Sequence, residues 1–241
     1  MSPPALAVVA AVLGALAGAA TPAVVRRLPV PDAEVDPQPV EQPGEQPGER
    51  PPDYPAIASV RRLGPVAAIV GALTAGMLGL LVRPALVPAA VLVAAGGVVL
   101  GYVDLREHLL PERVLWPISL GTTLLLTAAS GWTHDWRRLG VAAAVAAGCF
   151  TLFLVLALLA GGGLGFGDVQ LVTLLGLVAG WDGLGTGMLM LVLAIALAGS
   201  VTLVLLLAGR VHRRQPVAFG PFLLVGWWGA LLLAPQLLAR S

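Results

Sequence analysis

The chain has 241 residues, of which 58% are hydrophobic and only 11% charged, whereas soluble domains carry about 25% charged residues. Its mean hydropathy is +0.91, and apolar stretches of about 20 residues recur, each long enough to cross a bilayer as a helix. These properties exclude an ordinary soluble domain. The even apolar runs lack the alternation a transmembrane β-barrel needs, and the net charge of +1 gives no footing for nucleic acid. The expected fold class is all-α, a polytopic membrane protein.

Hydropathy marks about eight spans: Pro4–Val25, Gly64–Leu81, Ala85–Val103, Val114–Ala129, Leu139–Leu159, Val169–Ala179, Gly185–Leu207 and Ala218–Leu238. The first has no basic residue before it and Arg26-Arg27 after it. That is the reverse of a secretory signal, so it is expected to be a retained span with its N-terminus outside. Between the first two spans, Pro29 to Pro55 is rich in proline, glycine and acidic residues, including the tandem Glu41-Gln42-Pro43-Gly44 and Glu45-Gln46-Pro47-Gly48. Such a segment has too little apolar surface to fold, so residues 29–62 are expected to form a flexible cytosolic loop. Residues 1–241 as a whole are expected to form a single membrane-embedded domain that includes this loop.

Alternating outward from the first span puts Arg26, Arg27, Arg50, Arg61, Arg62, Arg106, Arg113, Arg210, Arg213 and Arg214 in the cytosol, and Arg83, Arg137, Arg138 and Arg240 outside. The bias follows the positive-inside rule, with Arg137 and Arg138 as a local exception. Asp104 and Asp168 then both fall at the cytosolic membrane face.

Those two aspartates carry the candidate chemistry. Asp168 ends the run Gly161-Gly162-Gly163-Leu164-Gly165-Phe166-Gly167 and precedes an apolar helix, so it is expected near a helix N-terminus, where the helix dipole favours negative charge. Asp104 stands where the third span stops, ahead of Leu105-Arg106-Glu107-His108-Leu109-Leu110-Pro111, and Pro111 is expected to end any continuing helix. Simple structural roles exist for both, an N-cap for Asp168 and an interfacial pairing with Arg106 or Arg113 for Asp104. Carboxylates in membrane chains are nonetheless rare unless they pair, carry ions or do chemistry. Two at one face can share a proton, because like charges a few ångströms apart do not readily both ionise. One then acts as base toward water while the other polarises a carbonyl as acid. That chemistry calls for no metal and no cofactor, and the pair titrates as a unit.

The residues Gly165-Phe166-Gly167-Asp168 resemble the Gly-x-Gly-Asp motif of the type IV prepilin leader peptidases, which are intramembrane aspartyl proteases. Asp104 through Pro111 resembles that family's first catalytic motif. Pro216-Val217-Ala218-Phe219-Gly220-Pro221-Phe222 is similar to its last recognisable block, and Gly14-Ala15-Leu16-Ala17-Gly18 leading to Arg26-Arg27-Leu28-Pro29 to its N-terminal segment. The resemblance implies cleavage of prepilin or pseudopilin leader peptides at the cytosolic face of the plasma membrane. The cut would follow a small residue ahead of a hydrophobic pilin helix. It implies Asp104 and Asp168 as the catalytic pair, with Gly165, Gly167 and Pro111 as supporting residues. Members that also N-methylate the new pilin terminus carry Cys-x-x-Cys pairs in the first cytosolic loop. This chain has an acidic loop there and a single cysteine elsewhere, Cys149, so the resemblance stops short of the zinc subdomain and of methylation. The family's lysine two residues after the second aspartate is Gln170.

The alternative reading of the same carboxylates is a proton-coupled transporter. His108, His134 and His212 read as interfacial or loop residues, and Cys149 as a buried structural thiol. The six tryptophans read mostly as an interfacial belt. The partners expected are a prepilin-like substrate and the lipid bilayer, with no expectation for oligomeric state.

Overall fold

The computed structural model describes residues 2–28, 59–60, 63–107, 110–159, 165–208 and 219–238. Among these residues the chain is all helical: α1 (Pro3–Arg26), α2 (Leu63–Leu81), α3 (Val87–Glu107), α4 (Glu112–Thr133), α5 (Trp136–Leu159), α6 (Phe166–Asp182), α7 (Leu184–Leu207) and α8 (Gly220–Leu238). Each expected span corresponds to one helix. Helices α1 to α5 and α7 are long and apolar enough to cross a membrane, so the protein is an all-α polytopic membrane protein. The expected flexible loop at 29–62 lies almost wholly outside the described residues, as do His108, His212 and the arginines of 210–214.

Burial sorts the helices into a centre and a periphery. In α3, 72% of the most apolar window is buried, against 22–33% in α1, α2, α4, α5 and α7. Helix α6 is central too, with 11 of its 17 residues buried, and it packs against α3, α4, α5, α7 and α8. The two central helices are the two that carry Asp104 and Asp168.

Small residues bring the helices together. Between lipid-solvated helices there is no hydrophobic driving force, and close backbone approach supplies van der Waals contact instead. Helices α1 and α2 run antiparallel in this way: Gly14 lies against the Gly71 backbone, Gly18 against Ala67, and Gly79 against Ala7. Helix α5 meets α6 where Gly176 receives the Cys149 sulfur and Gly180 receives Val145 and Ala142. Cys149 is thereby buried, as its apolar setting leads one to expect.

At the end of the bundle away from the aspartates, a polar clamp fixes α6. Arg83 Nε lies 3.5 Å from Asp182 Oδ1, and Thr186 Oγ1 donates to Asp182 Oδ2 at 2.8 Å. Arg138 pairs with Asp135 at 2.7 Å, donates to the Asp182 carbonyl at 3.4 Å and lies over the Trp181 ring. Two of the arginines expected outside are therefore matched by acidic groups, which explains how this end tolerates them despite the charge rule. The tryptophan expectation needs correction. Trp116, Trp132 and Trp136 are exposed near helix ends, but Trp181 and Trp227 are buried in the core. Trp181 is accommodated because its indole Nε1–H donates to Ser130 Oγ at 2.8 Å.

A methyl group at residue 14 would overlap the Gly71 backbone, whereas one at residue 148 would meet nothing within 4 Å. Overpacking costs about 1–3 kcal/mol, and helical Gly→Ala in open space gains about 0.5–1 kcal/mol. Gly14→Ala is therefore expected to lower the thermal unfolding midpoint in detergent, and Gly148→Ala to leave it unchanged or raise it.

Candidate active site

Asp104 lies in the last turn of α3 and Asp168 in the first turn of α6, at the same end of the bundle. Both are buried, at 4% and 9% exposure, and they are close enough for the charge of Asp104 to act directly on Asp168. The C-terminus of α1 reaches this end as well, where Val25 packs with Val99 and Val103 of α3. Arg26, Arg27, Arg106 and Arg113 are all at this end of their helices.

Each carboxylate is held by a helix start. The first backbone N–H groups of a helix have no partner within it and favour anions. Gly220, the first residue of α8, donates its N–H to Asp104 Oδ2 at 3.0 Å in a buried hydrogen bond. Pro221 follows it, a residue suited to the first helical turn because it has no N–H to leave unpaired. A Cβ at residue 220 would come within 2.7 Å of Asp104 Oδ2, so only glycine lets the amide approach. Asp168 is the third residue of α6, in the turn where the helix dipole favours negative charge, and its own N–H donates to the Gly165 carbonyl at 3.1 Å. Among the described residues, Asp168 Oδ1 is buried without a hydrogen-bond partner.

The supporting residues interlock the two motifs. A Cβ on Gly167 would lie 2.6 Å from Leu110 Cβ, so the absent side chain is where the segment after Asp104 packs against the segment before Asp168. Pro111 takes the N-cap position of α4 with φ −69° and ψ 111°. Its carbonyl accepts from Val114 and Leu115 at 3.0 and 3.2 Å. Helix α4 therefore starts two residues earlier than hydropathy suggests, with Glu112 in a first turn that favours acidic charge. Gln170 is half-buried one turn into α6. The sequence pattern gave no role to Gly220 or Leu110. The signal available for Gly220 was a Gly-Pro helix start within a recognisable block.

Residues 90–207 match the model of the Type IV leader peptidase family. Curated relatives named prepilin leader peptidase/N-methyltransferase include that of Aeromonas salmonicida, 32% identical over 56% of this chain and 45% of the relative. That of Burkholderia pseudomallei is 33% identical over 65% and 50%, and that of Dickeya chrysanthemi 33% identical over 70% and 59%. No solved structure matches. The likeness to the type IV leader peptidase family extends over about half of the chain. It spans about half the length of the curated relatives it matches.

A hydrogen bond to a charged group is worth about 1.5–3 kcal/mol. Gly220→Ala, which displaces Asp104 from the start of α8, is expected to speed amide exchange in the first turn of α8 by about tenfold or more, read by mass-spectrometric hydrogen exchange.

Proposed function

We propose that this protein is a membrane aspartic endopeptidase that removes the leader peptide of prepilin or pseudopilin-like proteins. The observation that carries the reading is the pair of buried carboxylates, Asp104 and Asp168. They come from different helices, lie within electrostatic reach of each other, and both fall inside the segment matched by the family model. The positive charge at their end of the helices supports a cytosolic face for the reaction and an outside N-terminus, in the plasma membrane. Of the two activities in the relatives' name, we carry over the peptidase alone. The stretch between α1 and α2 has none of the Cys-x-x-Cys pairs that accompany methylation in the family.

In this mechanism the two carboxyls hold one proton between them. The ionised member takes a proton from water as that water attacks the scissile carbonyl carbon. The protonated member donates to the carbonyl oxygen, and the pair returns a proton to the leaving amine as the C–N bond breaks. The helix starts at Gly220 and Phe166 stabilise negative charge on the pair, and the unpartnered Asp168 Oδ1 is suited to hold the attacking water. No metal or cofactor enters these steps. Gly165, Gly167 and Pro111 are the residues that hold the two motifs in register.

The experiment is coexpression with a candidate prepilin and a gel assay for leader loss. A general acid or base contributes about 10²–10⁴-fold. Asp104→Asn and Asp168→Asn are each expected to reduce processing by about a thousandfold or to below detection while the protein still inserts. Normal processing by either variant would falsify the dyad.

A further inference from the structure

An apolar groove runs up one side of the bundle between α2, α3 and α8, with a volume of about 450 Å³, in the range of about 300–1,000 Å³ for ligand clefts. Its walls are Val66 and Val70 from α2 and Val225 and Trp228 from α8, and its floor holds Gly97 and Gly101 of α3. Val66, Val70 and Val225 are about half exposed, so the groove opens on the lipid side. Leu224 lies across both floor glycines: a Cβ would meet it at 2.8 Å from residue 97 and at 3.2 Å from residue 101. The Thr74 hydroxyl on the α2 wall bonds to the Val70 and Gly71 carbonyls of its own helix, so it asks nothing of an occupant.

One end of this groove adjoins the turn of α3 that carries Asp104. Gly101, Tyr102 and Leu105, which bracket Asp104, line it on one side. Pro221, next to the Gly220 amide that binds Asp104, lines it on the other. Whatever fills the groove therefore ends beside the Asp104 turn. A chain segment lying in hydrocarbon must satisfy its own backbone, so it must be a helix, and in a groove with these walls its side chains must be apolar. A fatty acyl chain matches the walls but brings no peptide bond to the acidic end.

We propose that this groove receives the apolar membrane helix of the substrate, aligning the bond just before that helix with Asp104 and Asp168. The inference rests on the peptidase reading and adds to it where the substrate binds. The groove acts on affinity and not on bond breaking, so obstructing it raises KM.

The test has two arms. In the Asp168→Asn protein, used to hold prepilin uncleaved in vesicles, a photo-reactive residue replaces Val70 or Val225, or Val192, which is 63% exposed on α7 and outside the groove. Crosslinks from positions 70 and 225 to the apolar segment of prepilin, with none from 192, support the groove. Crosslinks from 70 and 225 only to lipid, or only to a second copy of the chain, overturn it. In the second arm, Val70→Trp and Val225→Trp are expected to raise KM for prepilin about tenfold with kcat within twofold, while Val192→Trp changes neither. Unchanged KM in both groove variants overturns the proposal while leaving the peptidase intact. Failure of the unaltered protein to cleave any prepilin would instead remove the peptidase reading, and the groove proposal with it.

Discussion

Everything in this bundle is arranged around bringing two carboxylates into an apolar interior. Each needs a donor and a close neighbour, because an unsolvated charge without them is too costly to keep. Both are met by helix starts. The N–H of Gly220 reaches Asp104 at 3.0 Å, and Asp168 stands in the first turn of α6. A backbone amide brings partial positive charge without adding a further ion to desolvate. It also ties the site to the positions of whole helices, so α8 cannot shift without disturbing Asp104.

That arrangement explains where glycine is indispensable. At residue 220 a side chain would occupy the space of the Asp104 carboxylate, and at residue 167 it would occupy that of Leu110. The two aspartate motifs and the Phe219-Gly220-Pro221 block are far apart in sequence yet share one packing unit. Further out, the Gly14–Gly71 and Gly18–Ala67 contacts join α1 and α2 into a pair. That pair rests on α3 where Val25 meets Val99 and Val103.

The sequence disclosed the helices and the two carboxylates because both depend on local patterns: run length for the former, charge in an apolar context for the latter. The centrality of α6 was harder to read. Its apolar run looked short, and burial on every side leaves no amphipathic stripe to mark a helix's neighbours. The Gly220–Asp104 bond joins residues 116 positions apart, so no local pattern announces it. Trp181 read as an interfacial residue because it sits near a span end. Only the Ser130 hydroxyl, 51 positions away, makes its burial tolerable. Arg138 looked like a breach of the charge rule for the same reason: its acidic counterpart is Asp135 beside it, and across the fold it donates to the Asp182 carbonyl of α6.

The clamp on α6 has a consequence for the depth of Asp168. Asp182 and Trp181 align the C-terminal end of α6 with the start of α5 and the end of α4. All mismatch in helix length is therefore displaced to the opposite end. Helix α5 has 24 residues and α6 has 17, a difference of about 10 Å at 1.5 Å per residue. Counted from the clamp, the start of α6 with Asp168 in its first turn thus falls about 10 Å short of the end of α5, where Leu158 and Leu159 are exposed. The depth of that carboxylate along the bundle is therefore set by residue count, and the end from which it is counted is held by the Arg83–Asp182 salt bridge.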